Sequence, residues 1–299
     1  MDNEVDDPYA GRRISGSEID VFEPFGPMYC GSETRVYYQK PVAHHVDVHL
    51  DRGWLVLCLG GCRSTAAIGS DRMGVAESFG PSITYMPPDC DVRVCEDNAR
   101  TSDIVLVAPP VQSFEAAADL RNIKPGTMSY FWREGAAIGK LTRSLRDMLL
   151  INEFHRFDPL EIETCVEYVV AFLTELYAGE IGKTRRKANF GLTTRQLRNV
   201  ADFVDANLEN TVTLQALAEQ AGLSQHHFAR QFRRATGTSA YHYVLTKRIL
   251  KAMALLADTE TLLSEIALAC GFYDHAHMSN HFAKHVSVRP ARYRQIIRT

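Results

Sequence analysis

The sequence predicts an α+β chain, with a compact β-sandwich or barrel first, two helices after it, and an all-helical domain last. Three observations carry that prediction. Short alternating runs of apolar and polar residues fill 35–108, the period lengthens to that of a helix from Ile138 onward, and a pair of short helices is duplicated beyond residue 210. The 299 residues, 45% hydrophobic, can build roughly two cores.

The strand region comes first. Strands are predicted over 35–39, 46–50, 54–59, 82–86, 91–95 and 103–107, each short and rich in Val, Ile, Leu or Tyr. Between them stand Asp51-Arg-Gly53, Gly60-Gly61, Gly80-Pro81 and Pro87-Pro-Asp89, which supply the backbone geometries of tight turns. Ile138, Leu141, Leu145, Met148 and Leu149 then share one helical face, and Ile162, Cys165, Val166, Val169, Val170, Leu173 and Tyr177 share another. The second face can pack on the strands or pair with its copy in a homodimer.

A polar, basic stretch, Lys183-Thr-Arg-Arg-Lys187 followed by Ala188 to Gly191, breaks the apolar period and reads as a linker. The chain divides accordingly into 1–180, a linker at 181–192, and 193–299. Charge divides with it. Residues 1–180 hold 16 Lys and Arg against 28 Asp and Glu, whereas 181–299 hold 17 against 8. An acidic first part and a basic last part point to a polyanionic partner for the last part alone.

The duplication sharpens this reading. Leu214, Leu217, Ala218 and Gly222 recur as Leu263, Ile266, Ala267 and Gly271, while Phe228, Phe232 and Tyr243 recur as Met278, Phe282 and Tyr293. Each copy has the make-up of a helix-turn-helix. A small Ala lets the second helix cross the first closely, Gly222 or Gly271 takes the left-handed turn, and Ser224 or Asp274 is placed to cap the second helix. That second helix buries Phe228 and Phe232, or Met278 and Phe282, and leaves its other face outward.

The outward face has the groups a major groove would meet. Gln225, His226, Ala229 and Arg230 in the first unit, and His275, Ala276, Ser279 and Asn280 in the second, are the candidate base readers. Arg230 suits the O6/N7 edge of guanine and Asn280 the N6/N7 edge of adenine. Arg233, Arg234 and Lys284 are placed to hold phosphates. A single connecting helix is predicted over 241–256, which would set the two readers about one duplex turn apart, on the order of 34 Å. The bland alternative, a helical hairpin with solvated charges, weakens once the unit occurs twice.

The C-terminal part resembles the AraC/XylS family of regulators over about residues 193 to 299. The match lies in Leu214-x2-Leu-Ala-x3-Gly-Leu-Ser224 with Phe228-x-Arg-x-Phe232, in Ser264 to Phe272 with His277-Met-Ser-x-x-Phe282, and in Arg289-Pro-x-x-Tyr-Arg294. The resemblance implies an all-α domain of about seven helices with two helix-turn-helix units, and double-stranded DNA and RNA polymerase as partners. It also implies that 1–180 is a cupin-like β-barrel with following helices, serving as a sensor or dimerisation domain. Activation of a promoter under a small effector would be the outcome. For such an effector His45, His49, Tyr37 and Trp54 are the candidates. Three departures stand out: Ala240 where the family has proline, Val286-Ser287 where it has Phe-Gly, and Asn280 where arginine is frequent. The second removes an aromatic contact and an easy left-handed turn.

Other constellations compete. His45, Asp47 and His49 alternate on one strand as metal ligands do, the basis of an alternative reading as a metal-dependent cupin-like enzyme with a helical docking domain. The accompanying Glu is absent, so no metal and no cofactor are expected. His277, His281 and His285 are also spaced like ligands, but their helix favours DNA contact or packing. The seven cysteines, Cys30, Cys58, Cys62, Cys90, Cys95, Cys165 and Cys270, lack C-x-x-C pairs, and most are expected to be buried thiols, with Cys58/Cys62 or Cys90/Cys95 as redox alternatives. No nucleophile elbow, phosphate loop or H-E-x-x-H is present. No run of 18 apolar residues and no signal-peptide pattern occur, so a cytoplasmic, non-membrane protein is expected.

Overall fold

The computed structural model describes residues 13–14, 27–39, 44–60, 63–69, 74–96, 103–121, 123, 131–151, 158–179 and 192–298. The expected linker falls almost wholly outside them, as do Cys62 and the side chain of His45.

The strands are β1 (Arg13–Ile14), β2 (Met28–Cys30), β3 (Arg35–Gln39), β4 (His44–Leu50), β5 (Trp54–Cys58) and β6 (Arg63–Ile68). They continue with β7 (Gly74–Glu77), β8 (Ser82–Met86), β9 (Cys90–Glu96), β10 (Ile104–Ala108) and β11 (Phe131–Glu134). They form two sheets, one in the order β1-β4-β9-β6-β7 and the other β11-β8-β5-β10-β3-β2. Pairing is antiparallel apart from β1 with β4. The expected barrel is therefore corrected. Among the described residues each sheet ends in edge strands and the ring of hydrogen bonds that a barrel needs does not close.

Alternation explains the space between the sheets. Val46, Val48 and Leu50 of β4 point in while Asp47 and His49 point out. The inward set meets Tyr37, Trp54, Cys58, Met86 and Val92 in one core. β10 is buried along its whole length, because Ile104 and Leu106 face that core while Val105 and Val107 face the helices on the other side.

Those helices are α1 (Val111–Asp119), α2 (Ala136–Ile151) and α3 (Pro159–Ala178). Ile138, Leu145 and Leu149 of α2 and Val166, Val170 and Leu173 of α3 supply the covering layer, as their spacing predicts. Asp158 caps α3 by accepting from the Leu160 amide, with Pro159 at its first turn.

Residues 192–298 form seven helices: α4 (Thr194–Ala206), α5 (Leu214–Gln220), α6 (Gln225–Thr236), α7 (Ala240–Asp258), α8 (Leu263–Ala269), α9 (His275–Val286) and α10 (Pro290–Arg298). Thr193 and Gln196 start α4 with a reciprocal capping box. α7 serves two cores. Its Ala240, Tyr243 and Val244 pack with α4, α5 and α6, whereas Ile249, Ala252, Met253 and Leu256 pack with α8, α9 and α10. A helix anchored in both cores holds the two units in a fixed relation.

The second of these cores continues into the strand domain without a break. At that seam Arg146 of α2, fully buried, meets Asp103 at 2.6 Å and Asp147 at 2.8 Å, and also donates to the backbone carbonyl of His285. Burial alone would lower the Arg146 pKa, but the two carboxylates outweigh it and hold it raised. Ser287 donates to Asp147 at 2.6 Å, and the Tyr38 and Tyr293 hydroxyls lie 3.3 Å apart. On the first unit's side Arg198 reaches Glu77 at 2.7 Å, and Phe79 enters the core of α4 to α6.

Candidate nucleic-acid interface

Both helix-turn-helix units, α5 with α6 and α8 with α9, close their first helix in the same way. The Leu223 amide bonds the Ala218 carbonyl and the Gly222 amide that of Glu219; Phe272 repeats the first bond on Ala267 and Gly271 the second on Leu268. These are the 6→1 and 5→2 bonds of a Schellman turn, which requires a left-handed residue after the helix. Gly222 at φ 66° and Gly271 at φ 75° supply it. A side chain at 222 would stand in open space, whereas a Cβ at 271 would lie 2.1 Å from the Leu208 carbonyl. The turn of the second unit thus presses on the loop that leads into the first. Arg248 of α7 completes that joint by donating to the carbonyls of Leu208 and Asn210.

The second helix of each unit is then launched differently. Asp274 accepts from the His277 amide at 2.7 Å, as its place in the sequence predicts. Ser224 has the extended backbone of a cap, but its side chain makes no capping bond. That expectation is corrected, and the Ser224 hydroxyl stays exposed beside the outward face of α6.

The inner faces are as predicted: Phe228 and Phe232, and Met278 and Phe282, are buried. Phe232 meets Tyr243, and Phe282 meets Tyr293, edge to face at 5.4 Å, so the repeat extends to the aromatic pair. Outward on α6, Gln225, His226, Arg230, Arg233 and Arg234 are exposed and Ala229 is half-buried. Outward on α9, His275, Ala276, Asn280 and Lys284 are exposed and Ser279 is half-buried. The last turn of α6 carries Arg233 and Arg234, cations favoured at a helix C-terminus.

The three spaced histidines part company. His277 and His281 touch edge to face at 4.8 Å and pack on Phe272, while His285 is buried at the seam. Burial, followed by His277 and Lys284, pushes His281 down. Among the described residues no three His, Cys, Asp or Glu cluster as metal ligands would.

Of the effector candidates, His45 has its side chain outside the described residues, and the other three are not brought together. His49 is exposed and bonds Asp91 at 2.9 Å, on the opposite side of β4 from Tyr37 and Trp54, whose rings pack 5.8 Å apart between the sheets. Cys58 and Cys90 are buried and donate to the Gly60 and Pro87 carbonyls. Burial raises the Cys90 pKa, which disfavours a reactive thiolate, and burial takes Cys270 up to about 12. Sequence reasoning missed Tyr273, 86% exposed at the mouth of α9, and the basic side chains gathered at the seam. An exposed aromatic between Phe272 and Asp274 has no period to betray it.

The family described as "Helix-turn-helix domain" matches residues 217–296. Over 90 residues the chain is 37% identical to the HTH-type transcriptional activator RhaR of Klebsiella pneumoniae, covering 30% of this chain and 32% of that protein. It is 29% identical to the HTH-type transcriptional activator RhaS of Escherichia coli over 67% of this chain and 70% of the relative. A solved regulator from Chromobacterium violaceum, described as having an AraC-type DNA-binding domain, aligns at 29% identity and a TM-score of 0.32, over 33% of this chain and 89% of that one. Residues 217–296 are thus similar to a helix-turn-helix domain, the part of the chain on which most of α5 and all of α6, α8 and α9 lie. The chain matches about a third of the length of the first curated relatives. Among the described residues no helix is long and apolar enough to cross a membrane.

Proposed function

We propose that the chain is a sequence-specific transcription regulator that binds double-stranded DNA through α6 and α9 and activates a promoter together with RNA polymerase. The observation that supports it is the pairing of two outward polar helix faces on one connecting helix whose ends lie in separate cores. The activators RhaR and RhaS, similar over this region, point the same way. In this reading Gln225, His226, Ala229, Arg230, His275, Ala276, Ser279 and Asn280 face base edges, and Arg233, Arg234 and Lys284 hold phosphates. The parts are a two-sheet sensor or dimerisation domain at 1–180, a linker at 181–192 and the DNA-binding domain at 193–299, in a cytoplasmic protein. Leu160 and Tyr168, exposed on α3, are where a second copy would pack in a homodimer.

Mapping the bound sites across a genome supplies the sequence, and fluorescence anisotropy on that site and on random DNA supplies the test. Affinity falls steeply with salt as counterions are released. Arg230→Ala costs roughly 1–3 kcal/mol on the specific site and relaxes one base preference, while Arg233→Ala weakens both DNAs alike. Equal losses on both DNAs for Arg230→Ala remove it from the readers. Equal affinity of the wild-type chain for both DNAs ends the sequence-specific reading.

A further inference from the structure

Between the strand domain and the helical domain lies a cavity of about 130 Å³ that DNA reading does not use. Its basic lining is drawn from three helices: Arg143 of α2, His242 and Lys247 of α7, and His285 of α9. Among the described residues no carboxylate lines it. Asp103 and Asp147, the acids on the α2 side, are engaged by Arg146, and Lys247 lies 3.8 Å from Asp205. His285 is only 9% exposed, and among the described residues its buried Nε2 has no hydrogen-bond partner. A buried polar nitrogen without a partner is costly and asks for one.

The charges agree with the geometry. Burial lowers Arg143, with Arg146 adding to it and outweighing the opposite pull of Asp147 and Asp103. Burial and then Arg143 lower His242, while burial, Arg146, Arg143 and His242 push His285 well down. Burial is the first cause for all three, and the neighbouring cations add to it.

We propose that this cavity is an oxyanion site, in which a phosphate or carboxylate group of a small molecule is held by Arg143, His242 and His285 across the domain seam. The space equals that of roughly four waters, which suits one such group rather than a whole sugar. The planar Arg143 guanidinium can take two of its oxygens. Because the three holders belong to α2, α7 and α9, an occupant stabilises the docked arrangement of the strand domain on both helix-turn-helix units. That regulatory consequence rests on the function proposed above; binding itself does not.

The test uses the full chain near neutral pH. Sodium phosphate and sodium succinate are titrated separately by calorimetry, with thermal unfolding followed in parallel, against sodium chloride at matched ionic strength. Saturable binding and a raised melting temperature are expected with phosphate, which assigns a phosphorylated ligand, or with succinate, which assigns a carboxylate. Arg143→Gln and His242→Asn, changes at the partly open rim, weaken it about tenfold, the worth of a charged hydrogen bond. Lys140→Gln, exposed on α2, leaves it unchanged. His285→Gln should weaken it too, and should that variant fail to fold, the two rim variants decide. The proposal is overturned if both anions act only as chloride does, or if Arg143→Gln binds as tightly as wild type. Anisotropy on DNA in the same samples keeps the two readings apart: a chain that binds phosphate but no DNA loses the regulator and keeps the site.

Discussion

The two helix-turn-helix units share a turn, a buried aromatic or methionine face and an edge-to-face tyrosine, yet the strand domain holds them by different means. The first is met by Arg198 with Glu77, where the arginine is half open to solvent, and by Gly80 against the Thr236 carbonyl. The second is met by the fully buried Arg146 with Asp103, by the His285 carbonyl, by Ser287 on Asp147 and by the Tyr38–Tyr293 pair. A pair open to water on the arginine side alone is partly screened, although Glu77 itself is buried, whereas a pair buried on both sides is the costlier to break. One motif, used twice, is thereby held at one unit by the apolar Phe79 and a half-open ion pair, and is welded at the other by a buried ionic network.

The largest effect tests that weld. Arg146→Ala leaves Asp103 charged and unpaired in the core and should cost roughly 3–5 kcal/mol of stability in urea unfolding. Arg198→Ala takes two hydrogen bonds from the buried Glu77 at a joint open on one side and should cost less, roughly 1–3 kcal/mol. Similar losses for both would erase the asymmetry.

The turns provide the next comparison. Gly222→Ala strains a left-handed residue in open space and should cost on the order of 1 kcal/mol. Gly271→Ala adds to that strain a Cβ 2.1 Å from a backbone oxygen, so the chain must shift and the loss should exceed about 2 kcal/mol. Denaturation midpoints of the two variants separate a shared turn from a turn that is also a joint; coincident midpoints would deny the joint.

Acid should act on the second unit first. The folded pKa of His285 is depressed, so between that value and about 6.5 the unfolded chain binds a proton that the folded chain refuses. Stability is therefore full above about pH 6.5 and falls as pH drops, by up to about 1.4 kcal/mol per pH unit for this group. His242 and His281 act in the same direction. Unfolding midpoints measured across this window should fall less steeply in His285→Gln than in wild type, and parallel profiles would assign the acid loss elsewhere.

What was legible in the sequence is what local chemistry decides. The turns at Gly222 and Gly271, the cap at Asp274 and the helical period of α2 and α3 each need only neighbours in the chain. α1 escaped because Ala117 and Ala118 bury its inner face without a large apolar residue, and β6, reading Arg-Ser-Thr-Ala-Ala-Ile, offers little alternation. The seam escaped for another reason: Arg146 is a polar position on an amphipathic helix, and only the fold brings Asp103 and the His285 carbonyl to it. Replacing Gly by Ser at 287 suggested a lost left-handed turn. Ser287 nevertheless sits at φ 63°, held by a bond to Asp147 from the other domain.

The smallest effect concerns the helix that follows each unit. Pro290 begins α10, and the equivalent place at the start of α7 is Ala240, fifty residues earlier. The Ser239 carbonyl accepts from the Tyr243 amide just as that of Arg289 accepts from Tyr293, so the two starts have the same backbone frame. Ser239 is extended at φ −75° and ψ 153°, the conformation a residue before proline prefers. At the first position of a helix the missing amide costs nothing and the fixed φ fits. Ala240→Pro should therefore stabilise the chain by about 0.4–1 kcal/mol, chiefly by restricting the unfolded state, with DNA affinity unchanged. A lower unfolding midpoint would mean that the ring cannot be housed where Ala240 is buried beside Tyr243, and that the two helix starts are alike in backbone but not in packing.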